Sequence, residues 1–518
     1  MAEKTRAMTR RTVVSSFIFK FPPDGRPQVA LFRRSGKVRT YQHRLAPVSG
    51  SVDKDDVSPL HAAWREIKEE TGLSPANLTL VRQGKDYHFA DESIGREWYI
   101  HPFAFRLKSH HDEANIQIDW EHEGYQWFDP RDVRDEQDFG GVPRLAESLQ
   151  RVWFEIELGE SRGGILSEGL LALQRDHESG ARQLAGKALE VLVSVISAED
   201  ESLERWWRNA RLAAWHLWKN GRESMGAAIL NVLVRSLGII EQEVKHVDGD
   251  DVSREFLDGV ASKLRHFATS RNESVYGIWK SLEAYLRQNK ASEGPIRILT
   301  LSSSSTIFGC LQRAIANFDF GFDIRILESR PLFEGASMAS KLVDHLKPII
   351  AEREKRVEVS IFTDAAAAIA SEDVDFVLIG ADLIAKDGAT SNKTGSLPAV
   401  LSARHCSPRA RILVLADNEK ILPYEPPGRE ENEVEEVVES WRREASLQKT
   451  TLREFVASQD GNSHEGGLKA GVRNVYFEWV PTSLIDVYMF EDGQKSARDI
   501  SELAGRIRRD ADAFFADV

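Results

Sequence analysis

Arg65-Glu66-Ile67-Lys68-Glu69-Glu70-Thr71-Gly72-Leu73 sets three carboxylates on one short helix behind a loop that carries Gly50. Ser58 can cap this helix and Pro59 can open it, because a proline without an N–H suits a first turn whose N–H groups have no helical partner. Gly72 can close it in a left-handed conformation. Glu66, Glu69 and Glu70 then fall at i, i+3 and i+4, so their side chains share one face and their oxygens can converge on a hard divalent cation. The plain alternative is a solvated acidic helix with Arg65 and Glu69 as an i, i+4 ion pair.

With Gly50 upstream, the run resembles the Nudix box: a glycine, five residues, a glutamate, seven residues, then Arg-Glu-apolar-x-Glu-Glu-x-Gly-apolar. Its second half matches throughout. The span from Gly50 to Arg65 is one residue longer than the usual form, and the upstream glutamate's place falls on Asp56, or on Val57 when counted back from Arg65. The resemblance implies an α/β/α sandwich and a hydrolase that uses magnesium, with manganese as a substitute. Glu69 and Glu70 would be metal ligands, Glu66 ligand or base, and Arg65 the residue that orients the glutamates. The substrate class implied is a nucleoside diphosphate derivative such as a nucleotide sugar, ADP-ribose or phosphoribosyl pyrophosphate. The flanks agree: Thr12 to Phe21, Gln28 to Arg33 and His101 to Leu107 read as strands. Trp120-Glu121-His122-Glu123-Gly124-Tyr125-Gln126-Trp127-Phe128 resembles the acidic loop and tryptophan strand that follow in such proteins. Glu121 and Glu123 are candidates to join the cluster or act as base, with Glu97 behind them.

At 518 residues the chain is too long for one core. No apolar run approaches the roughly 20 residues needed to span a bilayer, so no membrane association is expected. Two cysteines, Cys310 and Cys406, cannot make a disulfide framework, and a reducing compartment, the cytoplasm, is expected. A net charge of −13 argues against direct nucleic-acid binding, which needs clustered Lys and Arg. A pocket for a small nucleotide or sugar phosphate is compatible with it.

Val142 to Phe154 reads as an amphipathic helix closing a first domain at residues 1–157, and Gly159 to Gly164 as a polar junction. Residues 165–290 read as a helical region, with Trp206, Trp207, Trp215 and Trp218 at core spacings. From 291 to 518, short β-rich runs alternate with helical ones: Ile296 to Leu301, Asp323 to Leu327, Val357 to Phe362, Asp375 to Ile379 and Arg411 to Leu415. That alternation predicts an α/β Rossmann-like parallel sheet with ligands beyond the carboxyl ends of its strands.

Asp176 with Ser179-Gly180-Ala181, Glu328-Ser329-Arg330-Pro331 with Glu334-Gly335, Thr363-Asp364, Gly380-Ala381-Asp382, Asn392-Lys393-Thr394-Gly395-Ser396 and Tyr476-Phe477-Glu478 carry a second resemblance. They resemble the family joining the alpha, beta and delta subunits of eukaryotic translation initiation factor 2B to methylthioribose-1-phosphate and ribose-1,5-bisphosphate isomerases. Pro426 to Gly467 has no part in it and reads as an exposed insertion. The resemblance implies a sugar-phosphate pocket in which Asp382 is catalytic, beside Asn392. Ser302, Ser303, Ser304 and Ser305 enter a helix and offer hydroxyls and N–H groups to a phosphate, while Arg330 and Lys393 add positive charge. Where the family's isomerases place a cysteine stands Ser302, a far poorer acid or base, so sensing is favoured over isomerisation. Cys310 reads as a small buried hydrophobe. A homodimer is expected, with the apolar residues of Val472 to Met489 as its contact.

Overall fold

Strict alternation along the first strand decides the N-terminal architecture. In β1 (Thr9–Lys20), Val14 and Ile18 enter one core while Phe17 and Phe19 enter another on the opposite side. A computed structural model describes residues 8–22, 25–177, 179–197, 202–247, 249–289, 294–353, 356–428, 430–439, 441 and 471–518. After β1 come β2 (Gln28–Arg34), β3 (Leu45–Ala46), α1 (Pro59–Thr71), β4 (Leu78–Gln83), β5 (Tyr87–Asp91), β6 (Arg96–Leu107), β7 (His122–Phe128) and α2 (Leu145–Gln150). The sheet runs β3-β2-β1-β6-β4, with β5 on β6 and β7 on β2. Ile67 of α1 packs in one core and Leu149 of α2 in the other, which makes the expected sandwich.

The end of this part differs from the sequence reading. Only Leu145–Gln150 of the segment 142–154 is α-helical; Pro143 constrains its approach. Nor is 159–164 a linker. It lies inside α3 (Glu155–Arg175), where Gly159 at φ 73° breaks the helix and a Cβ on Gly163 would stand 2.7 Å from Glu155 Cγ. Gly163 there permits close packing instead of slack.

α3 is followed by α4 (Ala181–Ile196), α5 (Leu203–Lys219), α6 (Gly226–Val244), α7 (Arg254–Ser270) and α8 (Ser274–Asn289). Trp206, Trp215 and Trp218 are buried and Trp207 packs against the same core. The stretch Glu223–Val244, contrary to the sequence expectation, is long and apolar enough to cross a membrane, but 72% of its apolar window is buried inside the fold. Its apolar character serves that helical core.

The last part contains β8 (Ile296–Leu301), α9 (Ser305–Asn317), β9 (Phe322–Leu327), α10 (Glu334–Arg353), β10 (Val357–Phe362), α11 (Ala367–Ala370), β11 (Phe376–Ile379), β12 (Leu383–Ala385), β13 (Thr390–Lys393), α12 (Ser396–Cys406) and β14 (Arg411–Leu415). It ends with β15 (Ile421–Leu422), α13 (Val434–Glu439), β16 (Phe477–Val480), β17 (Val487–Phe490), β18 (Gly493–Lys495) and α14 (Ala497–Phe514). The main sheet is ordered β10-β9-β8-β11-β14-β17-β18 and is parallel up to β17. Chain order reverses between β8 and β11, so a crevice opens there beyond the strand ends. A smaller sheet, β15-β12-β13-β16, brings Asn392 and Lys393 to the same place. Of the segment read as an exposed insertion, residues 442–467 lie outside the described residues. Tyr476, Phe477, Val480, Tyr488 and Met489 are buried within the chain, so the stretch expected to form a dimer contact is largely core.

Candidate functional site

The capped helix is as the sequence predicts: Ser58 Oγ accepts from His61 N, Pro59 opens α1, and Gly72 at φ 72° closes it. Arg65 organises the loop before it. Its guanidinium donates to Asp56 Oδ2 at 2.9 Å, Ser51 O at 2.9 Å, Glu66 Oε1 at 2.7 Å and Glu69 Oε2 at 3.2 Å. Asp56 therefore takes the upstream acidic place, and Val57 is 87% exposed. The Arg65 guanidinium holds the Asp56 carboxyl well below the usual carboxylate range. Gly50 is needed because a Cβ there would stand 1.9 Å from Glu66 Cδ.

Glu66, Glu69 and Glu121 border one cavity of about 460 Å³. Burial raises the Glu66 carboxyl against the pull of Arg65. Glu70 lies deeper, 3% exposed, with Oε2 at 2.6 Å from His122 Nε2 and Oε1 unpartnered. Burial lifts Glu70 well above its ordinary value, and burial lowers His122. His122 escaped the sequence reading; its place at the inward start of β7 was the available signal.

Glu123, expected at the site, is not among the residues lining the cavity. Next to inward His122 on β7, it faces the other way and meets His43 Nδ1 at 2.7 Å, whereas Glu121, before the strand, lines the cavity. Glu97 likewise does not line it, while Trp98 does. Among the described residues, no group of three or more His, Cys, Asp or Glu side chains forms a ready ion cage. The donor chemistry nonetheless fits magnesium or manganese: carboxylates border the cavity and the buried Glu70 Oε1 has no partner.

The second site lies at the strand-order reversal, in a cavity of about 640 Å³. Ser302, after β8, has φ 65° and donates its N–H to Ser329 Oγ at 2.8 Å. Ser304 Oγ caps α9 by accepting from Ile307 N. Ser302, Ser303, Ser304 and Ser305 all line the cavity, with Asp382, Asn392 and Lys393. Asn392 donates to Ser396 Oγ at 2.9 Å, and Lys393 Nζ stands 3.3 Å from Glu334 Oε1. Burial pushes the Asp382 carboxyl up, against Lys420, Lys393 and Arg222.

Arg330 is the exception. Asp364 accepts the backbone N–H groups of Ser329 and Arg330 at 2.9 and 2.8 Å, and the Arg330 guanidinium turns to Glu328, with its side chain 52% exposed. It is not among the cavity's lining residues. Positive charge comes instead from Arg182, Arg222, Lys341 and Lys420, besides Lys393. Asp417, 3% exposed, also lines the cavity, holding Arg182 at 2.9 Å while Oδ1 has no partner. Cys310 is fully buried with its thiol pushed up to about 12, as a core residue should be.

Residues 177–496 match the Initiation factor 2 subunit family and residues 10–152 match the NUDIX domain. The ribose 1,5-bisphosphate isomerase of Archaeoglobus fulgidus is 27% identical over 204 residues, which are 38% of this chain and 52% of that protein. The methylthioribose-1-phosphate isomerase of Magnetococcus marinus is 28% identical over 182 residues, 34% of this chain and 43% of that protein. The chain thus spans about half the length of these curated relatives. Among solved structures, translation initiation factor eIF-2B of Pyrococcus horikoshii OT3 is similar with a TM-score of 0.44 at 19% identity, covering 65% of this chain and 98% of that one.

Proposed function

The chain belongs to the Initiation factor 2 subunit family and carries a NUDIX domain, and on that footing we propose a cation-dependent pyrophosphohydrolase fused to a ribose-phosphate-binding domain. The NUDIX domain supports a hydrolase. Its substrate would come from the class of nucleotide sugars, ADP-ribose and phosphoribosyl pyrophosphate. The observation that carries this reading is one cavity bordered by Glu66, Glu69 and Glu121 with Arg65 organising its loop.

Glu66, Glu69 and Glu121 would hold magnesium or manganese, with Glu70 behind them. Bound there, the ion would neutralise the diphosphate and increase the acidity of water. Arg65 keeps Glu66 and Glu69 fixed relative to Asp56 and Ser51, so little reorganisation remains when substrate arrives. Glu66, whose carboxyl is raised by burial, is suited to take the proton of the attacking water. A hydrolysis screen across the three substrate types, with and without magnesium, tests the reading. Glu66→Gln should abolish turnover while leaving the fold intact; full activity in that variant would reject the assignment.

In the second cavity, clustered serines and five cations suit a phosphorylated sugar. Serine at 302 favours binding without isomerisation. Calorimetry with ribose 5-phosphate and ribose 1,5-bisphosphate should show binding with no ketose formed; ribulose formation would restore the isomerase reading. The assembly that accompanies this proposal is a homodimer. Strand β10 supports it as a sheet edge with Ile361 53% exposed. Light scattering that shows only monomer at micromolar concentration would reject it.

A further inference from the structure

Of the five cations that line the second cavity, three are already held by carboxylates of the chain. Arg182 donates to Asp417 Oδ2 at 2.9 Å, Lys393 Nζ stands 3.3 Å from Glu334 Oε1, and Arg222 donates to Glu430 Oε1 at 2.9 Å. Among the described residues, Lys341 and Lys420 have no ion-pair partner. Lys420 is only 9% exposed, so its ammonium has lost most of its water without a carboxylate in return.

Arg222 has the planar fork best suited to a phosphate, yet both its terminal nitrogens are in use. Besides the bond to Glu430, its guanidinium donates to Asp176 O at 2.7 Å, and the side chain is 5% exposed. Glu430 comes from the stretch after β15, 208 residues away in sequence, and does not itself line the cavity. Its charge is nevertheless felt there: Asp382, raised chiefly by burial, is raised further by Glu430.

A phosphate monoester carries about 1.5 to 2 negative charges at neutral pH, so a bisphosphate brings about 3 to 4. The two unpaired lysines and the serine loop entering α9 suit one such group. A second phosphate at Arg222 meets a charge that Glu430 has neutralised, and the two anions repel in a place with little water to screen them. A hydroxyl faces no such barrier, because it can accept from Arg222 and donate to Glu430.

We propose that Glu430, by holding Arg222, restricts the second cavity to ligands with a single phosphate, so that ribose 5-phosphate is preferred to ribose 1,5-bisphosphate. The proposal rests on the reading of this cavity as a ribose-phosphate site and adds its selectivity. Calorimetry on the full chain, with each sugar titrated separately, reads it. The wild type should bind ribose 5-phosphate about tenfold more tightly than the bisphosphate. Glu430→Gln keeps an oxygen for Arg222 but removes the charge, so the bisphosphate should gain about tenfold and the gap should close. Unfolding midpoints establish that the variant is folded, and the wild-type ratio is a test even if it is not. Equal or tighter binding of the bisphosphate by the wild type, or a ratio unmoved in folded Glu430→Gln, overturns the selectivity and leaves the ribose-phosphate reading standing. Failure of both sugars to bind wild type and variant alike rejects that reading, and the selectivity with it.

Discussion

Asn220, at the end of α5, holds the backbone of Gln83 in β4 from both sides: its Oδ1 accepts the Gln83 N–H at 2.6 Å and its Nδ2 donates to the Gln83 carbonyl at 2.9 Å. Next to it, buried Arg82 donates to Glu155 at 2.7 and 2.6 Å and lies 3.7 Å from the Phe154 ring centroid. Lys85 and Arg151 reach the last turn of the chain, at Ala516 O and Val518 O. The N-terminal sandwich is thus clamped onto the rest. Two residues past Asn220, Arg222 lines the second cavity.

Removing that clamp should cost stability. Asn220→Ala leaves the Gln83 backbone donor and acceptor without their partners in a partly buried place, so denaturant unfolding should show a loss of about 1 to 2 kcal/mol. A loss below about 0.5 kcal/mol would mean that water replaces the amide freely.

Gly50→Ala should act on chemistry more than on folding. The new methyl would occupy the position of the Glu66 carboxylate, 1.9 Å from its Cδ. Displacing a reacting group by that much can reduce turnover on the order of a hundredfold. Kinetics alongside thermal unfolding would check this; unchanged turnover would show that Glu66 works from another position.

Lys393→Ala and Arg330→Ala should part company. Lys393 lines the second cavity, so its loss should weaken ribose 5-phosphate binding by about tenfold, as expected for a charged hydrogen bond. Arg330 points to Glu328, so its alanine variant should bind nearly as the wild type does. Calorimetry showing equal losses would contradict the observed orientation.

Glu491 predicts a pH dependence of stability. Burial, with Asp417 nearby, raises its carboxyl from 4.5 to about 7. The folded chain therefore holds this proton more tightly than the unfolded chain does. That advantage is full below about pH 4.5 and is lost as pH rises through about 7. Relative to Glu491→Gln, the wild type should lose up to about 3 kcal/mol between these limits. Unfolding free energies measured across that range would show a constant difference if Glu491 is not perturbed.

Local chemistry made much of the architecture legible before any tertiary contact was known. Ser58, Pro59 and Gly72 bound α1 because helix ends are recognised by side chains within one turn. Ile296–Leu301, Val357–Phe362 and Arg411–Leu415 are strands with the ends their apolar runs predict. The serine loop and Asp382 could be placed in one cavity because parallel sheets collect loops at one edge. Tertiary structure alone decided the rest. Strand parity turned Glu123 away while Glu121, just before the strand, lines the cavity, and Asp364, from a different loop, turned Arg330 outward. Arg182, Arg222 and Lys420 joined Lys393 only through folding of distant segments. Sequence specifies which groups are available and their local geometry; which of them meet depends on register and long-range packing, for which no short stretch of chain carries the information.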